Sequence, residues 1–161
     1  MPSFSTTRRV PFTSRQMYDL VADVEQYPKF LPLCEALIVK KRGREAGKET
    51  MICEMTVGYH AIRESFTSRV TLDPDALQVH AGSVPEHPSG PFRTVENRWS
   101  FAPADGGCDV QFHIAYEFKS LMLQMLVGSL FDRVFRRYTQ AFEERARAVY
   151  GGPEAGAART P

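Results

Sequence analysis

Residues 108 to 127 place the tightest constraint on the fold. Cys108 to Phe118 alternates apolar and polar residues, the period of a half-buried strand, and runs directly into a helical segment whose first two turns, Leu121 to Val127, are apolar almost all round. A helix that is apolar on every side cannot lie on a sheet with its back to water. Either both sides are buried, or it lies over something apolar that comes and goes. At about 100° per residue, Leu121, Met122, Leu123, Met125, Leu126 and Val127 cover the whole circumference, so they cannot all face one sheet. Turning Leu123, Leu126 and Val127 inward leaves Leu121, Met122 and Met125 as an apolar patch that would meet a membrane surface or a second subunit. Burial beneath the Pro-rich segment 83 to 91 is the rival arrangement.

A chain of 161 residues with 43% hydrophobic and 24% charged residues can bury a substantial core. We expect one domain over residues 1–150 and a disordered tail over 151–161, because GGPEAGAARTP has nothing to bury. The net charge of +1 supplies no global field to recruit nucleic acid or anionic membrane. Cys34, Cys53 and Cys108 are odd in number and widely spaced, the usage of free thiols in a reducing compartment. The N-terminal stretch lacks the apolar core of a signal peptide, and no run reaches the roughly 20 apolar residues of a span. The expectation is a soluble cytoplasmic protein, or one peripheral on the inner membrane.

Phe4 to Phe12 reads as a first strand. Thr13 and Gln16 have capping-box spacing, and Met17, Leu20, Val21 and Val24 follow on one helical face that fades at Tyr27-Pro28. YPKFLPLC, at 27 to 34, is too rich in proline for a long helix and predicts a short helical turn or bend. The period then changes to 2, with strands at Leu37 to Lys41, Thr50 to Val57, Ala61 to Leu72, Leu77 to Ala81, Val95 to Phe101 and Val110 to Phe118. Their short Gly, Pro and Asp connections favour antiparallel hairpins. Leu123, Val127, Leu130, Val134, Tyr138 and Phe142 trace one helical stripe to about Tyr150. An α+β fold follows: a curved antiparallel sheet of about seven strands wrapped round a long C-terminal helix, with two short helices after the first strand.

Such a sheet can enclose a space. Met51, Cys53, Met55 and Val57 share one strand face, and soft sulfur side chains suit an adaptable apolar pocket. On the next strand Phe66 and Val70 share a face with Glu64 and Ser68. Ser68 can donate to a ligand oxygen, whereas Glu64 either meets water near a strand end or points at a polar ligand group. Asn97 stands among Val95, Trp99 and Phe101, the sort of sparse amide that orients a ligand, or else it caps neighbouring backbone. Phe112 and Ile114 belong to an apolar floor, and Leu123, Leu126, Val127 and Leu130 close the space from the helix. Ordinary core filling competes with each assignment taken singly. The histidines lack metal spacing, with His80 and His113 on the faces opposite the apolar ones, and no residue set nominates a nucleophile with its base. Lys40, Lys41, Arg42 and Arg44 form a basic cluster at a strand end, a solvated loop or a secondary docking point for an anionic surface.

The element order, with YPKFLPLC, ESFTSRV at 64 to 70, WSF at 99 to 101 and CDVQFHIAYEFKS at 108 to 120, resembles the START-like, helix-grip superfamily, and within it the coenzyme Q-binding START-domain family. The resemblance runs from Phe4 to Ala148. It implies a non-enzymatic binder of ubiquinone or a related polyisoprenoid lipid, with no catalytic cofactor or metal, that supports respiratory electron transport and visits the membrane surface, with a homodimer as a further option. For the RatA-type branch it implies instead a factor that interferes with ribosomal subunit association, and a cyclase-type enzyme is a third use of this fold. A pocket of roughly 300 to 1,000 Å³ would take a quinone ring and a few isoprene units.

Overall fold

The computed structural model describes residues 2–85, 87 and 90–151, with the side chains of Tyr59 and Ile62 excepted. The expected tail therefore lies outside the described residues, apart from Gly151. The strands are β1 (Ser3–Val10), β2 (Cys34–Glu45), β3 (Lys48–Tyr59), β4 (Ile62–Asp73), β5 (Gln78–Ser83), β6 (Phe92–Ala104) and β7 (Gly107–Phe118). The helices are α1 (Ser14–Ala22), a 3-10 helix over Val24–Lys29, α2 (Leu121–Arg136) and α3 (Tyr138–Tyr150).

The seven strands form one antiparallel sheet in the order β1-β7-β6-β5-β4-β3-β2. Consecutive strands from β2 to β7 pair as antiparallel neighbours, and the one long-range pairing is β1 with β7, from Ser3 opposite Ala115 to Val10 opposite Cys108. Gly107 permits the close approach there, since a Cβ at that position would stand 1.8 Å from the Val10 carbonyl oxygen. Register shifts in β2, at Cys34/Ala36 and Val39/Lys41, and in β6, at Phe92/Thr94, are bulges that bend the sheet. The strict alternation of β7 puts Val110, Phe112, Ile114, Tyr116 and Phe118 on the buried concave face. A sheet so bent grips the C-terminal helices, which is the helix-grip architecture.

The capping box forms: the Thr13 amide donates to Gln16 Oε1 at 2.9 Å and the Gln16 amide to Thr13 Oγ1 at 3.0 Å. It launches α1, whose Met17, Leu20 and Val21 pack into the core. The C-terminal helix departs from expectation in one respect, because α2 ends at Arg136 and α3 begins at Tyr138, with Arg137 between them at φ −98° and ψ −2°. The continuous apolar stripe hid the joint. Glu143, 4% exposed, holds α3 to the sheet by accepting from Arg8 of β1 and from Arg147 one turn on. Tyr150 adds a hydrogen bond to the Gln16 carbonyl at 3.0 Å. By contrast, the first turns of α2 stand clear of the body.

Candidate functional site

Between the concave face and the α2–α3 arm lies an apolar cavity of about 80 Å³. Cys53 and Met55 reach it from β3, Phe66, Ser68 and Val70 from β4, Asn97 and Trp99 from β6, and Ile114 from β7. These residues were expected to share a space, and the register explains why they do. Cys53 pairs with Ser68, Met55 with Phe66 and Asn97 with Ile114, so side chains of equal parity across four strands point the same way. The lining has further members that sequence reasoning missed: Val24, Tyr27 and Leu31 from the 3-10 segment, and Phe135, Tyr138 and Phe142 from the helical arm.

Other assignments need correction. Met51 lies beyond the cavity toward the β2–β3 hairpin, where Arg42 Nη1 stands 3.2 Å from its sulfur. Phe101 is packed under α1, edge-on to Tyr18 at 6.2 Å, and Phe112 is core between Trp99 and Phe4. Val57, Leu123, Val127 and Leu130 line a separate crevice of about 30 Å³ with Glu64, Leu33 and Pro91. Leu126, expected inward, is 71% exposed, because α2 turns its Leu123–Val127–Leu130 row to the sheet and Leu126 falls beside Met122 and Met125. Leu121, Met122 and Met125 are 71%, 70% and 78% exposed, so burial under segment 83 to 91 does not occur. The cavity is also smaller than a ligand pocket of 300 to 1,000 Å³. Phe66, Phe92, Trp99, Phe135 and Phe142 fill the difference, interlocked by edge-to-face contacts such as Phe66–Phe92 at 5.8 Å and Trp99–Phe142 at 4.9 Å.

The polar groups in the cavity are few and uncharged. Asn97 Nδ2 donates to the His113 carbonyl at 2.9 Å, and Asn97 Oδ1 accepts from Trp99 Nε1 at 2.9 Å, so the amide is held in one orientation. Of its two expected roles, the bond to neighbouring backbone is the one this geometry contains. The Ser68 hydroxyl makes no hydrogen bond with a described residue. Burial pushes the Cys53 thiol up to about 11 and raises the Tyr27 phenol well above its ordinary value. No carboxylate, imidazole, ammonium or guanidinium lines the cavity among the described residues, and those residues contain no cluster that could hold a metal ion.

Outside the cavity the charges are largely matched. Arg42 pairs with Glu25 and Glu49, Lys40 with Glu54, and Arg136 with Asp132. A broader depression of about 660 Å³ on the outer sheet face is lined by polar side chains, including Gln78, His80, Arg98 and His113. Its residues bond to neighbours, as Ser5 does to His113 at 2.6 Å and Ser100 to Gln111 at 2.7 Å, which marks it as solvated sheet surface. No described helix is long and apolar enough to cross a membrane.

A curved antiparallel sheet closed over a C-terminal helical arm, with an uncharged cavity between, defines a START-like, helix-grip protein. The chain belongs to the family described as polyketide cyclase/dehydrase and lipid transport, whose model matches residues 10–143. It is 32% identical over 151 residues to the ribosome association toxin RatA of Escherichia coli K12, covering 93% of this chain and 90% of that protein. It is also 32% identical over 151 residues to the mitochondrial coenzyme Q-binding protein COQ10 of Drosophila melanogaster, covering 89% of this chain and 58% of that one. The Zhui aromatase/cyclase of a Streptomyces species has the same fold, with a TM-score of 0.78 at 15% identity over 94% of this chain and 98% of that one.

Proposed function

We propose that this protein binds ubiquinone or a related polyisoprenoid quinone, without catalysis, between the sheet and the α2–α3 arm, and presents it to respiratory membranes. The observation that carries the reading is the lining: aliphatic, sulfur and aromatic side chains with the hydroxyls of Ser68, Tyr27 and Tyr138 and an oriented amide, and no charged group among the described residues that line it. Such a surface accepts a neutral apolar molecule and offers nothing to an ionised one. The relative named for coenzyme Q binding supports the choice of ligand. A void of about 80 Å³ means that the ligand enters by displacing the arm. The natural lever is α2, whose inner row forms the small crevice and whose outer row, Leu121, Met122, Met125 and Leu126, is exposed and apolar. At ~0.8 kcal/mol per CH₂, even one buried isoprene unit contributes several kcal/mol, so the ring contacts need only orient the ligand. The rest of the tail stays in the bilayer, which the outer row of α2 meets.

The sole tryptophan, Trp99, lines the cavity and reports on it. Titration with decylubiquinone should quench its fluorescence saturably, and mass spectrometry of lipids co-purified from the native host should find a prenylquinone. Absence of both sinks the reading.

Ribosome association is the second reading, favoured by the identity to RatA over 90% of that protein. The basic cluster gives it little support, since Lys40 and Arg42 are already paired with carboxylates. Changing Lys40, Lys41, Arg42 and Arg44 to Ala should leave co-sedimentation with ribosomal particles unaltered. Stoichiometric, salt-sensitive co-sedimentation lost in that variant would replace the carrier reading with the ribosomal one.

A further inference from the structure

Tyr138 is the first residue of α3, directly after the joint at Arg137. Its ring is fixed by an edge-on contact with Phe135 at 5.5 Å and another with Phe112 at 6.0 Å. The residue is 9% exposed and lines the cavity. A tyrosine buried to that extent ordinarily finds a partner for its hydroxyl. Tyr27, which lines the same cavity, does so by donating to the Val21 carbonyl at 2.5 Å. Tyr138 makes no hydrogen bond with any described residue, nor is its oxygen sealed in packing, since the sealed, unpartnered side-chain atoms among those residues are Ser14 Oγ and Arg145 Nε. The hydroxyl therefore keeps open space beside it, on a residue that lines the void. Folding gains nothing from this oxygen, and its neighbours Phe131, Phe135 and Phe142 on the same arm do without one.

We infer that the Tyr138 hydroxyl is the hydrogen-bond donor that recognises a carbonyl oxygen of the bound ligand, so that the cavity selects a quinone-type ring over a hydrocarbon of the same shape. The inference rests on the ligand reading above and adds the recognising atom. The other polar groups fit it. Ser68 has a free hydroxyl that can donate to a second ligand oxygen, and Asn97 Oδ1 already accepts from Trp99. Burial raises the Tyr138 phenol well above its ordinary value, which keeps the proton in place at any physiological pH. A neutral, acceptor-bearing, otherwise apolar ring satisfies the whole lining.

The test is Tyr138→Phe in the full chain, titrated calorimetrically with decylubiquinone and with decylbenzene, which carries the same tail and no oxygen. Loss of one hydrogen bond should weaken decylubiquinone about tenfold and leave decylbenzene unchanged. In the infrared, the carbonyl stretch of decylubiquinone bound to the wild type should lie below its value in hydrocarbon solvent, and the variant should abolish that shift. Equal decylubiquinone affinity in variant and wild type overturns the assignment while leaving the cavity reading intact. An unshifted carbonyl on the wild type overturns it as well, whatever the stability of the variant. Failure of the wild type to bind either probe overturns the ligand reading itself, and this assignment with it.

Discussion

Replacing the outer row of α2 by Leu121→Gln, Met122→Gln, Met125→Gln and Leu126→Gln together separates a docking surface from misjudged core. The four side chains are 71%, 70%, 78% and 71% exposed, so each has withdrawn only about a quarter of its surface from water. Full burial of such a side chain is worth about 1.5–3 kcal/mol, which leaves ~0.5 kcal/mol for each and ~2 kcal/mol for the set. That sum is an upper bound, because the unfolded chain hides part of the same surface. Gln matches Leu and Met in helix propensity, so α2 itself is not weakened. At 2–4 °C per kcal/mol for a chain of this size, the melting temperature should fall by less than ~8 °C. Were the residues core, each would cost about 2–5 kcal/mol, and four would consume the whole stability of a typical domain. Calorimetry reads the first quantity and vesicle flotation the second. Wild type should float with phosphatidylcholine vesicles and move decylubiquinone between them, and the variant should do neither while binding decylubiquinone in solution within about twofold of wild type. A folded variant that floats and transfers normally, or one that fails to fold, would refute the reasoning.

Met55→Asp sets an unpaired charge in the cavity and should abolish the quenching of Trp99 by decylubiquinone, with circular dichroism unchanged; normal quenching in a folded variant would mean the ligand lies elsewhere. Burial pushes the Cys34 and Cys53 thiols from 9.0 up to about 11, so the folded state holds protons that the unfolded state releases. Stability should be constant with respect to these groups below pH 9 and decline between pH 9 and 11, read by urea titration, and native Cys53 should resist disulfide reagents at pH 8. Arg8→Ala with Arg147→Ala strands the buried Glu143 carboxylate and should cost about 3–5 kcal/mol. Adding Glu143→Gln should return part of it, measured as the urea midpoint at constant slope.

What could be read from the chain beforehand was whatever repeats at short range. Period 2 located six of the strands because each buries one face, and the parity of Cys53, Met55, Phe66, Ser68 and Asn97 followed from the strand pattern without knowledge of the pairing partners. The strand ends were read short. Polar residues such as Lys48, Glu49 and Arg44 extend the β2–β3 hairpin through backbone pairing that leaves no hydrophobic trace. Long-range facts left no signal at all. No short-range pattern pairs Glu143 with Arg8, 135 residues away on β1. The prolines at 28 and 32 obscure any period in the segment 27 to 34, which reads only as a short helical turn or bend with no buried face assigned, and so Tyr27 and Leu31 were not expected in the cavity. For Leu126, circumference alone could not say which row of an all-apolar helix faces the sheet.

The division of labour within the helical arm follows from the same residues. In α3 the buried face carries Tyr138, Thr139, Phe142, Glu143 and Ala146, and it is tied down at its middle by the Glu143 ion pairs and at its C-terminal end by the Tyr150 bond to the Gln16 carbonyl. In α2 the buried residues begin only at Val127, and the two preceding turns have nothing charged to pair and a single capping bond, from the Leu123 amide to Ser120 Oγ at 3.1 Å. An arm anchored at one end and apolar but unpacked at the other bends most cheaply where its hydrogen-bond ladder is already interrupted, which is Arg137. Tyr138 stands on the anchored side of that joint. Movement of α2 would thus enlarge the cavity and carry Phe135 away from Tyr138, while α3 and the edge-on contact with Phe112 of β7 still hold the ring whose hydroxyl is assigned to recognise the ligand.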